Sequence, residues 1–236
     1  MKSFNYKEYR RIIFFTGAGM SAESGIPTYR GKGGIWNEYN WEDFACQSAF
    51  DLNPEKVLEF HELRRIEALK CSPHPGYHLI RKIEKEKSNT YIITQNIDGM
   101  HQRADSKNVL ELHGSLWRMR CQNESLILED KLTGSYSKKK CQCGFWLRPD
   151  IIWFQDMLND NIVSLANNLI NKSDLFISIG TSAVVWPAAG FPKLAKKSGA
   201  FCIEINPEET DLSYIYNKTI RMRASEGLNT LFSLGS

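Results

Sequence analysis

The chain has 236 residues, 42% hydrophobic and 24% charged, which excludes a disordered or fibrous protein and suits one large domain, or one with a small insert. Thirty basic residues against 27 acidic ones leave a formal charge of +3, too weak and too dispersed for a nucleic-acid surface. Nothing near the N-terminus has the apolar core of a signal peptide, and no stretch approaches the roughly 20 apolar residues of a membrane span.

In chain order, residues 11–15 form a short apolar run ending at Thr16-Gly17, as a buried strand does where it meets a loop. Runs of the same kind occupy 91–94, 109–112, 175–179 and 201–205, and 219–223 alternates as an edge strand would. Helices are expected over 54–70, 76–87, 160–172, 187–198 and 225–234. Strands alternating with helices imply an α/β chain with a mostly parallel sheet covered on both faces. Ligands of such sheets sit beyond the carboxyl ends of the strands. Two regions break the alternation. Residues 36–71 are aromatic-rich and then helical, which suggests a helical flap. Residues 120–148 are polar, carry three of the six cysteines, include Lys138-Lys139-Lys140 and show no sustained period, which suggests a small inserted module. The cysteines read as reduced thiols, since a disulfide framework does not suit so long a chain without an export signal.

Three loops that follow apolar runs carry the chemistry. Gly17-Ala18-Gly19-Met20-Ser21-Ala22 reads Gly-x-Gly-x-x-Ala, either a tight turn or a dinucleotide fingerprint whose glycines let backbone N–H groups approach a pyrophosphate. Its continuation, Ser24-Gly25-Ile26-Pro27-Thr28-Tyr29-Arg30-Gly31, mixes hinge residues, an aromatic and a cation as a mobile cofactor lid would. Thr94-Gln95-Asn96-Ile97-Asp98 sets an amide and a carboxylate at a strand end, suited to a carboxamide, or else to capping a helix. His113, at the end of the run 109–112, is a structural histidine or a general base.

The string from Gly17 to Gly31 closely resembles the sirtuin family, the NAD-dependent protein deacylases. Thr94–Asp98 and Leu112-His113-Gly114-Ser115 resemble that family's motifs too, and the likeness runs in order from about Ile12 to Ala224. The resemblance implies a Rossmann-like sheet built from residues 1–35, 72–119 and 149–236, with a smaller helical and zinc-module domain from 36–71 and 120–148. It implies His113 as the proton acceptor. It implies NAD contacts at Gly17, Ala18, Gly19, Ser21, Ala22, Pro27, Tyr29, Arg30, Trp36, Gln95, Asn96, Ile97 and Asp98. Later contacts would be the Gly180-Thr181-Ser182 loop, the Asn206-Pro207-Glu208 loop and Ala224. Ile152 and Phe154 correspond to the family's substrate strand, although Gln155 replaces a glycine there.

The family has two Cys-x-x-Cys pairs where this chain has Cys121, Cys141 and Cys143. These are candidate zinc ligands with no fourth in view, or three free thiols of a metal-free module. His61 and Arg64 stand where some members, including bacterial desuccinylases, carry Tyr-x-x-Arg to hold a succinyl or malonyl carboxylate. Arginine suits that anion, and a histidine beside it would add a pH dependence. The expected protein is a soluble, cytoplasmic, monomeric deacylase of acylated protein lysines, removing acetyl and acidic acyl groups, with no membrane or nucleic-acid partner. A protein ADP-ribosyltransferase or NAD glycohydrolase on the same scaffold is the alternative; a non-catalytic NAD sensor is a third class.

Overall fold

The computed structural model describes residues 4–29, 33–182 and 184–233. Six parallel strands form the main sheet: β1 (Ile12–Thr16), β2 (Thr90–Thr94), β3 (Val109–Glu111), and, after a second sheet described below, β7 (Leu175–Ile179), β8 (Phe201–Ile205) and β9 (Lys218–Ile220). Their order is β3-β2-β1-β7-β8-β9. The chain therefore builds outward from β1 in one direction and later in the other, which leaves a crevice where β1 and β7 meet.

Alternate side chains of these strands enter two different cores, which is why each run is apolar throughout rather than alternating. Ile12, Phe14, Ile92, Ile177 and Ile203 face one core; Ile13, Phe15, Ile93, Phe176 and Cys202 face the other. The expected edge strand is β9, which among the described residues pairs with β8 alone.

The helices are α1 (Ala18–Ala22), α2 (Trp41–Phe44), α3 (Gln47–Leu52), α4 (Pro54–Lys70), α5 (Pro75–Glu86), α6 (Met100–Arg103), α7 (Asp160–Asn171), α8 (Phe191–Lys197) and α9 (Ala224–Ser233). The long helices start where their sequences dictate. The Asn53 side chain accepts from Lys56 N with Pro54 in the first turn of α4, and Asn159 caps α7 in the same manner. No helix among the described residues is long and apolar enough to cross a membrane.

The second sheet is antiparallel, in the order β5-β4-β6, from β4 (Gly114–Cys121), β5 (Ile127–Glu129) and β6 (Leu147–Ile151). Residues 120–148 thus contribute strands although no period announces them, because β5 is three residues long with Ile127 and Glu129 both exposed. Helices α3 and α4 share a third core with this sheet, made by Phe50, Val57, Leu58, Met119, Leu147 and Trp153. A fully buried Arg65 on α4 ties the two together. It donates to Asp130 Oδ2 at 2.7 Å, to the Thr133 carbonyl at 2.8 Å and to the Leu116 carbonyl at 3.3 Å, between the rings of Trp117 and Tyr136. A buried cation is tolerated only when its donors are met in this way.

Candidate active site

The loops leaving β1 and β7 touch backbone to backbone. Gly17 N donates to the Ile179 carbonyl at 3.0 Å and Gly19 N to the Gly180 carbonyl at 2.8 Å. A Cβ at Gly17 would lie 2.7 Å from Gly180 O, and one at Gly19 2.7 Å from Gly180 Cα. The glycines of the fingerprint are thus required by this loop contact at the crevice, whatever else approaches them. Gln95 follows β2 into the same place: its N donates to Thr16 O at 2.9 Å and its Nε2 to Thr181 Oγ1 at 2.9 Å.

Behind that contact lies a buried polar network. Ser21 Oγ donates to Asp98 Oδ2 at 2.6 Å and lies 2.7 Å from the Tyr77 hydroxyl. Asn96 Nδ2 donates to Gly17 O at 2.9 Å and to Ser21 Oγ at 3.0 Å, while Met100 N donates to Asp98 Oδ1 at 2.9 Å and Trp117 Nε1 to Asp98 O at 2.8 Å. Burial raises the Asp98 carboxyl above its usual range, against the opposing pull of the Ser21 and Met100 hydrogen bonds and of Arg103 and Arg64. Ser21, Asn96 and Asp98 of this network line a small cavity whose walls also include Ala18, Ile26, Pro27, Tyr29, Ile97, Leu116 and Arg64. An amide and a carboxylate held on the lining of a largely apolar cavity fit a carboxamide such as that of nicotinamide.

His113 stands between the two sheets. Its Nδ1 lies 3.0 Å from the Gln95 carbonyl; a carbonyl only accepts, so Nδ1 carries the proton and Nε2 keeps its lone pair. Burial lowers its pKa, more than the Gln95 bond raises it. The neutral imidazole with a bare Nε2 is the form a general base needs. Gly114, at φ +76°, allows the chain to pass so close to Asp150 that a Cβ would sit 1.9 Å from its carbonyl oxygen. Ile152 N then donates to the His113 carbonyl at 2.9 Å, and Phe154 N to Ala45 O at 3.2 Å.

The remaining expected contacts fall around this centre. The Tyr29 and Trp36 rings pack 5.9 Å apart, and Trp36 reaches Phe60 at 6.2 Å and the half-exposed Phe154 at 5.6 Å. Arg30 lies outside the described residues. Asn206 Nδ2 donates to the Thr181 carbonyl at 3.1 Å, which joins the loops after β7 and β8. Ser182, Pro207 and Glu208 are exposed beside that joint, as is Ala22 on α1, while Ala224 is buried at the start of α9.

Arg64 and His61 part company. Arg64 lines the cavity, whereas His61, one turn earlier, is 3% exposed and stacked on Trp153. Its Nε2 sits between the Phe44 carbonyl at 3.2 Å and the Trp153 indole N–H at 3.3 Å. Burial lowers its pKa to about 3, which removes from the neutral range the pH dependence expected of a histidine here.

The three cysteines do converge, and with a partner that the sequence reading lacks. Ligand atoms of Cys121, Glu124, Cys141 and Cys143 all lie within 4.8 Å of one another, with Cys121 Sγ 3.5 Å from Cys143 Sγ and Cys141 Sγ 3.1 Å from Glu124 Oε2. Sulfurs on a tetrahedral zinc at ~2.3 Å would be about 3.8 Å apart, so the donor set fits that ion. Tyr77 is a second addition to the expected residues. It lies on the buried face of α5, and a tyrosine there needs a partner for its hydroxyl. A third is the set beneath the crevice, where Thr16 Oγ1 bonds Thr94 Oγ1 at 2.8 Å and His101 Nε2 at 3.0 Å.

Residues 17–187 match the Sir2 family. The chain is 44% identical over 229 residues to a protein of Aquifex aeolicus (strain VF5) named NAD-dependent protein deacylase, and the match covers 95% of each. Among solved structures it is similar to a Sir2 homologue mutant in complex with ADP ribose, with a TM-score of 0.90 at 39% identity, over 96% of this chain and 92% of that one. It is also similar to a Sir2 homologue in complex with NAD, with a TM-score of 0.87 at 39% identity, over 96% and 89% of the two chains.

Proposed function

This chain belongs to the Sir2 family, and on that premise we propose that it is an NAD-dependent protein deacylase that removes acyl groups from protein lysines. The observation that supports the reading is a fixed amide and carboxylate (Asn96, Asp98) bonded to Gly17 and Ser21 just after β1, with a histidine (His113) whose Nδ1 lies 3.0 Å from the carbonyl of the residue preceding that amide. NAD, when bound, supplies the labile nicotinamide–ribose bond and the sugar hydroxyl that takes the acyl group. One water is consumed, and the net products are nicotinamide, free lysine and O-acyl-ADP-ribose.

The chain's own residues have separate tasks. Asn96 and Asp98 orient the carboxamide and keep water from it. His113 accepts a proton at Nε2 while its Nδ1–H stays on Gln95. The loop contacts at Gly17, Gly19 and Gly180, with Thr181 and Asn206, shape the floor for the phosphates and riboses. Pro27, Tyr29 and Trp36 cover it. Ile152 and Phe154 flank the acyl-lysine, with Phe154 offering exposed apolar surface. Zinc on the cysteine cluster would hold the small sheet together and take no part in proton transfer. The acyl range extends to succinyl and malonyl groups through Arg64, whose guanidinium can pair with their carboxylate.

The test is an acetyl-lysine peptide incubated with and without NAD and followed by mass. Loss of the acyl group only with NAD, together with O-acyl-ADP-ribose, supports the reading. Nicotinamide release that is indifferent to the peptide would overturn it in favour of NAD glycohydrolysis.

A further inference from the structure

We propose that Glu124 is the fourth ligand of a zinc ion held by Cys121, Cys141 and Cys143, so that this chain's metal site has three thiolates and one carboxylate. Glu124 follows Cys121 by three residues, the interval at which a second cysteine closes a Cys-x-x-Cys turn, and its Oε2 is 3.1 Å from Cys141 Sγ. On the other arm, Gly144 N donates to Cys141 O at 3.0 Å and Cys141 N to Phe145 O at 2.8 Å. Gly144 adopts φ +87°, a tight reversal that turns both sulfurs of a pair with only one intervening residue toward the same point. Two turns, one at the end of β4 and one ahead of β6, thus deliver four donors, and carboxylate oxygen is an accepted zinc ligand.

The four donors are not equivalent. Cys121 and Cys141 are buried, while Glu124 is exposed. Three thiolates and a carboxylate leave a divalent ion with a formal charge of −2; of the lysines that precede Cys141, Lys139 pairs with Glu62 at 3.2 Å and Lys140 lies over the Trp146 ring. Glu124 is the one oxygen donor and the most exposed of the four, with Cys143 partly exposed.

The experiment uses the full chain as wild type, Glu124→Ala and Glu124→Cys, loaded with zinc. Metal content, zinc-edge X-ray absorption and competition with a chelator are measured for each. Expected are one zinc per chain in the wild type with three sulfurs at ~2.3 Å and one oxygen at ~2.0–2.2 Å. Glu124→Cys should show four sulfurs and hold zinc at least as tightly, and Glu124→Ala should hold it more than about tenfold more weakly. Three results would each overturn the proposal: a wild type that takes up no zinc, a Glu124→Cys protein that keeps three sulfurs and an oxygen, or a Glu124→Ala protein that binds zinc as tightly as wild type. The sulfur count of Glu124→Cys decides the matter even if Glu124→Ala does not fold. None of these readouts depends on NAD chemistry.

Discussion

Nδ1 of His113 lies 3.0 Å from the carbonyl oxygen of Gln95, the residue just before Asn96. One peptide unit therefore positions both the proposed base and the proposed carboxamide anchor. The same bond fixes the tautomer that leaves Nε2 free to accept a proton.

Because burial lowers the His113 pKa below the ordinary ~6.5 of histidine, the base stays neutral as pH falls through 6.5. The acid limb of kcat/KM against pH should therefore have its midpoint below about 6.5. A midpoint at or above neutrality would show that the histidine is not held as its surroundings dictate.

Ser21 serves three buried groups at once: Asp98, Tyr77 and Asn96. Ser21→Ala leaves the Asp98 carboxylate and the Tyr77 hydroxyl short of a partner and should cost about 1–3 kcal/mol of stability in urea unfolding. It should also weaken inhibition by nicotinamide. A variant as stable as wild type would mean that water replaces the hydroxyl without loss.

The proposed acyl preference turns on Arg64. Arg64→Met should lower desuccinylation more than deacetylation, measured as kcat/KM on matched peptides, because any change at the cavity wall is shared by both substrates while only the succinyl carboxylate also loses its cation. Equal losses on both peptides would assign Arg64 to the cavity wall alone.

Two other imidazoles set an acid limit on folding. His61 and His101 are buried, and burial lowers both to a pKa of about 3, whereas the unfolded chain protonates them near ~6.5. Between those values the unfolded state binds more protons, so stability rises with pH across the window and is lost as pH falls from about 6.5 toward 3. Each contributes a slope of about 1.4 kcal/mol per pH unit. Urea unfolding across this range should show a shallower acid loss for His101→Gln than for wild type; identical slopes would contradict the neutral burial of that ring.

What the sequence discloses follows its physics. Strands such as Ile12–Thr16 are buried on both faces and so stand out as unbroken apolar runs. The groups proposed for the chemistry end those runs, where a parallel sheet exposes its ligand edge. Asn96 and His113 are legible for that reason. The three-residue β5 has no room for a period, and its partly exposed side chains look like any loop. Glu124 is an exposed acid that means nothing until folding brings it to Cys141, 17 residues away. Likewise, nothing local reveals that Tyr77 on α5 reaches Ser21 on α1, 56 residues earlier. The split between His61 and Arg64 is of the same kind. Spacing sets both on one helix, but the indole of Trp153, 92 residues beyond His61, decides which way that imidazole is held.

The most direct measurement compares wild type with His113→Ala in two assays, NAD binding by calorimetry and single-turnover release of the acyl group from an acetyl-lysine peptide by mass. The account predicts that the variant still binds NAD while its deacylation falls by about 10² or more. A variant that deacylates at the wild-type rate would contradict it.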